Sequence, residues 1–72
     1  MTNYTLWLLL VVGDVEPEIV GPFATIRTRD RRARKLKRYY GDNSGIFMLD
    51  IDDRGRPYSG AYSDGFFDQK IP

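Results

Sequence analysis

Residues Tyr4 to Val12 form an apolar stretch rich in Leu, Val and Trp that stops at Gly13-Asp14. No charged side chain in it marks a solvent face, so the pattern predicts a strand buried on both sides. Glu18 to Phe23 is a shorter strand, carrying Ile19, Val20 and Phe23 between Pro17 and an internal Pro22. Proline cannot donate to a ladder, which assigns this strand to a sheet edge.

The period then changes. Ile26, Ala33, Leu36 and Tyr40 recur at spacings of seven, three and four, the signature of one helical face. Thr25 is placed to cap the helix N-terminus and Gly41 to end it in a left-handed conformation. Gly45 leads into Ile46 to Ile51, a second apolar run read as another central strand. Asp52, Asp53, Arg54 and Gly55 spell a turn, and Tyr58 to Tyr62 returns as a strand behind Pro57. Beyond Asp64, the tail carries Phe66 and Phe67.

The element order is β-β-α-β-β. A right-handed crossover through the helix sets the third strand beside the first, giving the order 2-1-3-4. Both uninterrupted apolar strands then lie in the centre and both proline-bearing strands at the edges. The expected fold is α+β: one small domain, residues 1–72, with a four-stranded antiparallel sheet and one basic helix packed on one face.

One helix covers only one face of such a sheet. Along the first strand Leu6, Leu8 and Leu10 point one way while Trp7, Leu9 and Val11 point the other, so both faces are apolar. A cover is expected on the second face, either the aromatic tail or a second copy of the chain as a homodimer.

Composition supports a folded chain: 42% of its 72 residues are hydrophobic and 14% aromatic, too many packing groups for a disordered tail. The absence of cysteine removes disulfides and thiolate metal sites, so packing or association must supply stability. The longest apolar run, Leu6 to Val12, is far short of the roughly 20 residues that span a bilayer. Met1 to Thr5 carries no basic residue of the kind that opens a signal peptide. The expectation is a cytoplasmic protein without a membrane partner.

Charge alters the picture more than composition does. The chain's net charge is only +1, yet eight of its eleven basic residues fall between Thr25 and Tyr40 against the single acid Asp30. That segment is therefore +7, and the rest, with three basic and nine acidic residues, is −6. At about 100° per residue, Arg27, Arg31, Arg34 and Arg38 form a stripe opposite the apolar side, flanked by Lys35 and Lys37. Arg29 turns towards the sheet, where a carboxylate such as Glu16 or Glu18 is expected to pair with it.

A merely solvated helix usually interleaves signs, because like charges at i,i+4 cost a few tenths of a kcal/mol each. Here they accumulate, even in the first turn, where the helix dipole disfavours cations. Arginine outnumbers lysine six to two in the segment, and its planar fork suits phosphate or carboxylate. The pattern points to a polyanion, nucleic acid first, contacted through Arg27, Arg31, Arg34, Lys35, Lys37 and Arg38. Trp7, Tyr39, Tyr58, Tyr62, Phe66 and Phe67 are the candidates for interface or base-stacking contacts. The alternative partner is an acidic protein surface, which a small module of this kind would bind or inhibit. A third reading is a structural subunit whose partner covers the apolar sheet.

Catalytic chemistry finds little support. The chain lacks His and Cys, the commonest general base and the thiolate nucleophile. Ser44, within Gly-Asp-Asn-Ser-Gly, has no histidine to activate it and reads as part of a loop. Asp50, Asp52, Asp53 and Gly55 imitate the start of a calcium loop, but Arg54 and Ala61 stand where further oxygen ligands belong. No Gly-rich phosphate loop is present. The expectation is a binding module that is not an enzyme and uses no metal or other cofactor.

Overall fold

The computed structural model describes residues 3–41, 44–63 and 65–67. Its elements are β1 (Tyr4–Val12), β2 (Glu18–Phe23), α1 (Ile26–Tyr40), β3 (Ser44–Asp52) and β4 (Pro57–Ala61). The sheet order is β2-β1-β3-β4 and every neighbouring pair is antiparallel, as the apolar and proline patterns predict. The central ladder runs unbroken from Tyr4 opposite Asp52 to Val12 opposite Ser44. At the β2 edge, Leu6 faces Phe23 whereas Leu8 faces Val20, so β2 carries one extra residue. The bulge contains Gly21 and Pro22, which are joined by a cis peptide bond.

Local chemistry bounds the helix. The Thr25 hydroxyl accepts from the Thr28 amide at 3.1 Å, satisfying one of the first-turn donors that have no intrahelical acceptor. At the other end Gly41 has φ +78°, a conformation that costs glycine nothing, and its amide reaches the Lys37 carbonyl at 2.8 Å. The β3–β4 hairpin is organised by Asp52, whose Oδ1 accepts from the amides of Arg54 at 2.9 Å and Arg56 at 2.8 Å. Gly55 supplies the positive φ there.

Alternation along the strands sorts the two faces of the sheet. Leu8, Leu10 and Ile46 meet Ala33 of α1 in the core, with Val20, Phe23 and Leu36 packed around them. Tyr62, Phe66 and Phe67 join this same cluster. The aromatic tail, as far as Phe67, therefore closes the core beside the helix and does not cover the second face, one of the two covers expected for it. Ile26 also departs from expectation. It falls on the apolar side by spacing but is 59% exposed and lies outside the core cluster.

Candidate functional site: the outer face of the basic helix

Packing divides the eight cations of α1 into two groups. Arg29 is 3% exposed and forms an ion pair and hydrogen bond through Nη1 with Asp50 Oδ1 of β3. Its inward turn is as expected, but its partner is Asp50 and neither Glu16 nor Glu18. Those two residues line an open cleft with Tyr40, at the far end of the helix from Arg29. With 1.5 Å of rise per residue, that is roughly 16 Å away.

Arg34 and Lys37 leave the surface stripe as well. The Arg34 guanidinium lies 4.1 Å from the centre of the Phe66 ring. Lys37 Nζ donates to the Ser44 carbonyl at 2.7 Å and stands 5.5 Å from the Phe67 ring centre. Both are half-buried, held by the C-terminal aromatic turn and the start of β3. These two cations, expected on the anion-binding stripe, are engaged within the fold because rings some 30 positions downstream fold back onto their side of the helix.

Asp30, the only acid of the helix, belongs to this inner group too. It accepts a hydrogen bond from the Tyr62 hydroxyl at 3.1 Å. Burial raises the pKa of that phenol, the charge of Asp30 raises it further, and nearby Arg29 opposes both.

What stays outside is Arg27, Arg31, Arg32, Lys35 and Arg38, all exposed. None of these five makes an ion pair among the described residues. Arg32 was missed by the stripe argument, since its angular position lies to one side of the arginine row. Its exposure, and that of Tyr39 at 82%, extends the basic surface around the helix. Tyr39 contacts Tyr40 edge to face, with ring centres 4.8 Å apart.

The other aromatic candidates divide differently. Tyr62 and Phe66 stack with centroids 4.2 Å apart, and Phe67 meets both rings edge-on. These three rings are half-buried and pack against the core cluster. Tyr58 is 49% exposed, but it packs edge-on to Tyr4 at the hairpin end of the sheet. Its pKa is raised chiefly by the charge of Asp52. Trp7 lies on the face of the sheet opposite the helix, remote from the basic surface.

The polar residues considered for chemistry are engaged locally. Ser44 is buried, and its hydroxyl donates to the Gly41 carbonyl at 2.8 Å. Asp50 is committed to Arg29, and Asp52 to its own turn. Asp42 and Asn43 lie outside the described residues. Among the described residues no group of three or more acidic side chains converges as a metal site, and no helix is long and apolar enough to cross a membrane.

Fold and site together define a small α+β domain whose exposed helix cations form no ion pair among the described residues. No family model, curated protein or solved structure matches the chain.

Proposed function

We propose that this protein is a non-enzymatic binding module whose outer helix face engages a polyanion, nucleic acid first. The observation that carries this reading is the sorting of charge on α1. Every inward cation has a partner, whereas Arg27, Arg31, Arg32, Lys35 and Arg38 remain exposed and form no ion pair among the described residues. Like charges held together without counterions favour a ligand that brings several negative charges at once, which is what a phosphate backbone does. Such contacts position a nucleic acid without reading its bases, so weak sequence preference is expected.

The test is a titration of duplex and single-stranded oligonucleotides across a salt series. Four to five phosphate contacts imply a slope near −4 in log K against log salt, a loss of roughly two hundredfold between 50 and 200 mM. Combined Arg27→Glu, Arg31→Glu and Arg38→Glu reversal should abolish binding while leaving the circular dichroism spectrum intact. Wild-type affinity indifferent to salt, or the reversed protein binding as well as wild type, defeats the proposal.

A second reading draws on Tyr39. A tyrosine 82% exposed beside Arg32 and Lys35 has the composition of a protein-interface anchor, and an acidic protein surface is the partner it would suit. Tyr39→Ala separates the two. It should leave salt-dependent duplex binding nearly unchanged and strongly weaken an acidic protein complex.

A further inference from the structure

Of the aromatic residues named as candidate contacts, Tyr39 alone lies among the exposed cations of α1. At about 100° per residue, Arg27, Arg38, Arg31, Lys35, Tyr39 and Arg32 follow one another around an outer arc of about 140°. Tyr39 falls between Lys35, one turn back, and Arg32, two turns back, at roughly 6 and 10.5 Å along the axis. The side chain is 82% exposed, and its ring contact among the described residues is the edge-to-face one with Tyr40. An apolar ring thus stands in water in the middle of a cationic surface.

We infer that this ring is a stacking platform for an unpaired base, so that the polyanion of the basic face is a single strand of nucleic acid. The inference rests on the polyanion reading and narrows it to one class of ligand. A duplex keeps its bases stacked on one another and leaves no free base face for an aromatic ring. A single strand brings phosphates to the arginines and, between them, bases with open faces. Aromatic side chains set in a cationic track hold such strands with little regard to sequence, because every base has a π-face.

The surroundings of Tyr39 suit a strand better than a protein surface. Aromatic anchors of protein interfaces sit in water-excluding pockets, and the cores of those interfaces are depleted of lysine and of charge generally. Around Tyr39 the outer neighbours are Lys35, Arg32 and Arg38, all exposed. The cleft beside Tyr40 carries Glu16 and Glu18, which repel phosphate and keep the backbone on the cationic side of Tyr39.

Three probes of equal length test the inference by fluorescence anisotropy: an oligo-dT strand, an abasic strand with the same phosphates, and a duplex. At one salt concentration the wild type should bind oligo-dT about five- to a hundredfold more tightly than the abasic strand. Tyr39→Ala should erase most of that margin without changing the affinity for the abasic strand or the salt slope. Tyr39→Phe, which keeps the ring, should preserve it. Both variants should retain the wild-type circular dichroism spectrum, since the position is exposed at the end of the helix. Equal affinity for oligo-dT and the abasic strand, or oligo-dT binding untouched by Tyr39→Ala, overturns the inference. If triple reversal of Arg27, Arg31 and Arg38 still abolishes that binding, the polyanion reading survives alone. Failure to bind any of the probes defeats both. Polyglutamate held in a Tyr39-dependent way, with oligo-dT binding independent of Tyr39, overturns the inference in favour of an acidic protein.

Discussion

Arg29 and Arg31 stand two positions apart on one helix and serve opposite ends. Arg29 is almost wholly buried against Asp50 of β3, while Arg31 projects from the surface with no ion pair among the described residues. The same contrast runs along the helix, with Asp30, Arg34 and Lys37 on Arg29's side and Arg27, Lys35 and Arg38 on Arg31's. Inner charges fasten the helix to the sheet and to the C-terminal aromatic turn. Outer charges contribute nothing evident to the fold and repel one another. A run of basic residues is thus two structures interleaved, and only the outer one is a candidate contact surface.

Breaking the inner set should have the largest effect. Asp50→Ala strands the Arg29 guanidinium, whose Nε already finds no acceptor among the described residues. The loss is expected near 3 kcal/mol, the low end for a broken buried pair because the Asp50 side chain is 37% exposed. Urea denaturation measures it, and a loss below about 0.5 kcal/mol would mean that the pair is not structural.

Tyr62→Phe sharpens the contrast through pH. It removes the hydrogen bond to Asp30, at a cost of about 1.5 kcal/mol near neutrality. Because the pKa of Tyr62 is raised above its ordinary 10.0, the folded protein holds this proton more tightly than the unfolded chain. The linked stability is fully present below about pH 10 and declines as pH rises beyond it. Denaturation curves of both proteins at neutral and strongly alkaline pH should therefore converge. A constant difference between them would contradict the assigned burial of the phenol.

The smallest expected change in stability lies on the outer set. Arg31→Ala should shift stability by less than about 0.5 kcal/mol, and upward, since it relieves repulsion from Arg27 and Lys35 at four-residue spacing. If the outer face binds nucleic acid, the same variant should flatten the salt slope by about 0.9, the share of one phosphate. Stability falling as far as in Asp50→Ala would erase the distinction between the two sets.

The sheet repeats the contrast on a larger scale. Its helix side carries every charged side chain of the strands and is closed by α1, Tyr62, Phe66 and Phe67. The other side carries Trp7, Leu9, Phe47 and Leu49 and no charged side chain of the strands, with Leu49 buried and Phe47 36% exposed.

Much of this architecture was legible in the order of residues. The bounds of β1 and β2 follow from apolar runs and turn residues, the ends of α1 from Thr25 and Gly41, and the edge places of β2 and β4 from Pro22 and Pro57. These features obey rules that act over a few positions, such as alternation, helical spacing, capping and the missing proline amide. Even the inward turn of Arg29 could be read from its angle on the helix. Its pairing with Asp50, the capture of Arg34 and Lys37, the exposure of Ile26 and the side chosen by Phe66 and Phe67 could not. The pairings depend on groups some 20 to 30 residues apart meeting in the fold, and spacing along the chain carries no record of which carboxylate or ring arrives. The sequence alone determined the elements, their order and the presence of a strongly basic helix. Tertiary packing decided which of its cations stay exposed and which face of the sheet the helix and the aromatic turn cover, because burial is a property of the assembled surfaces.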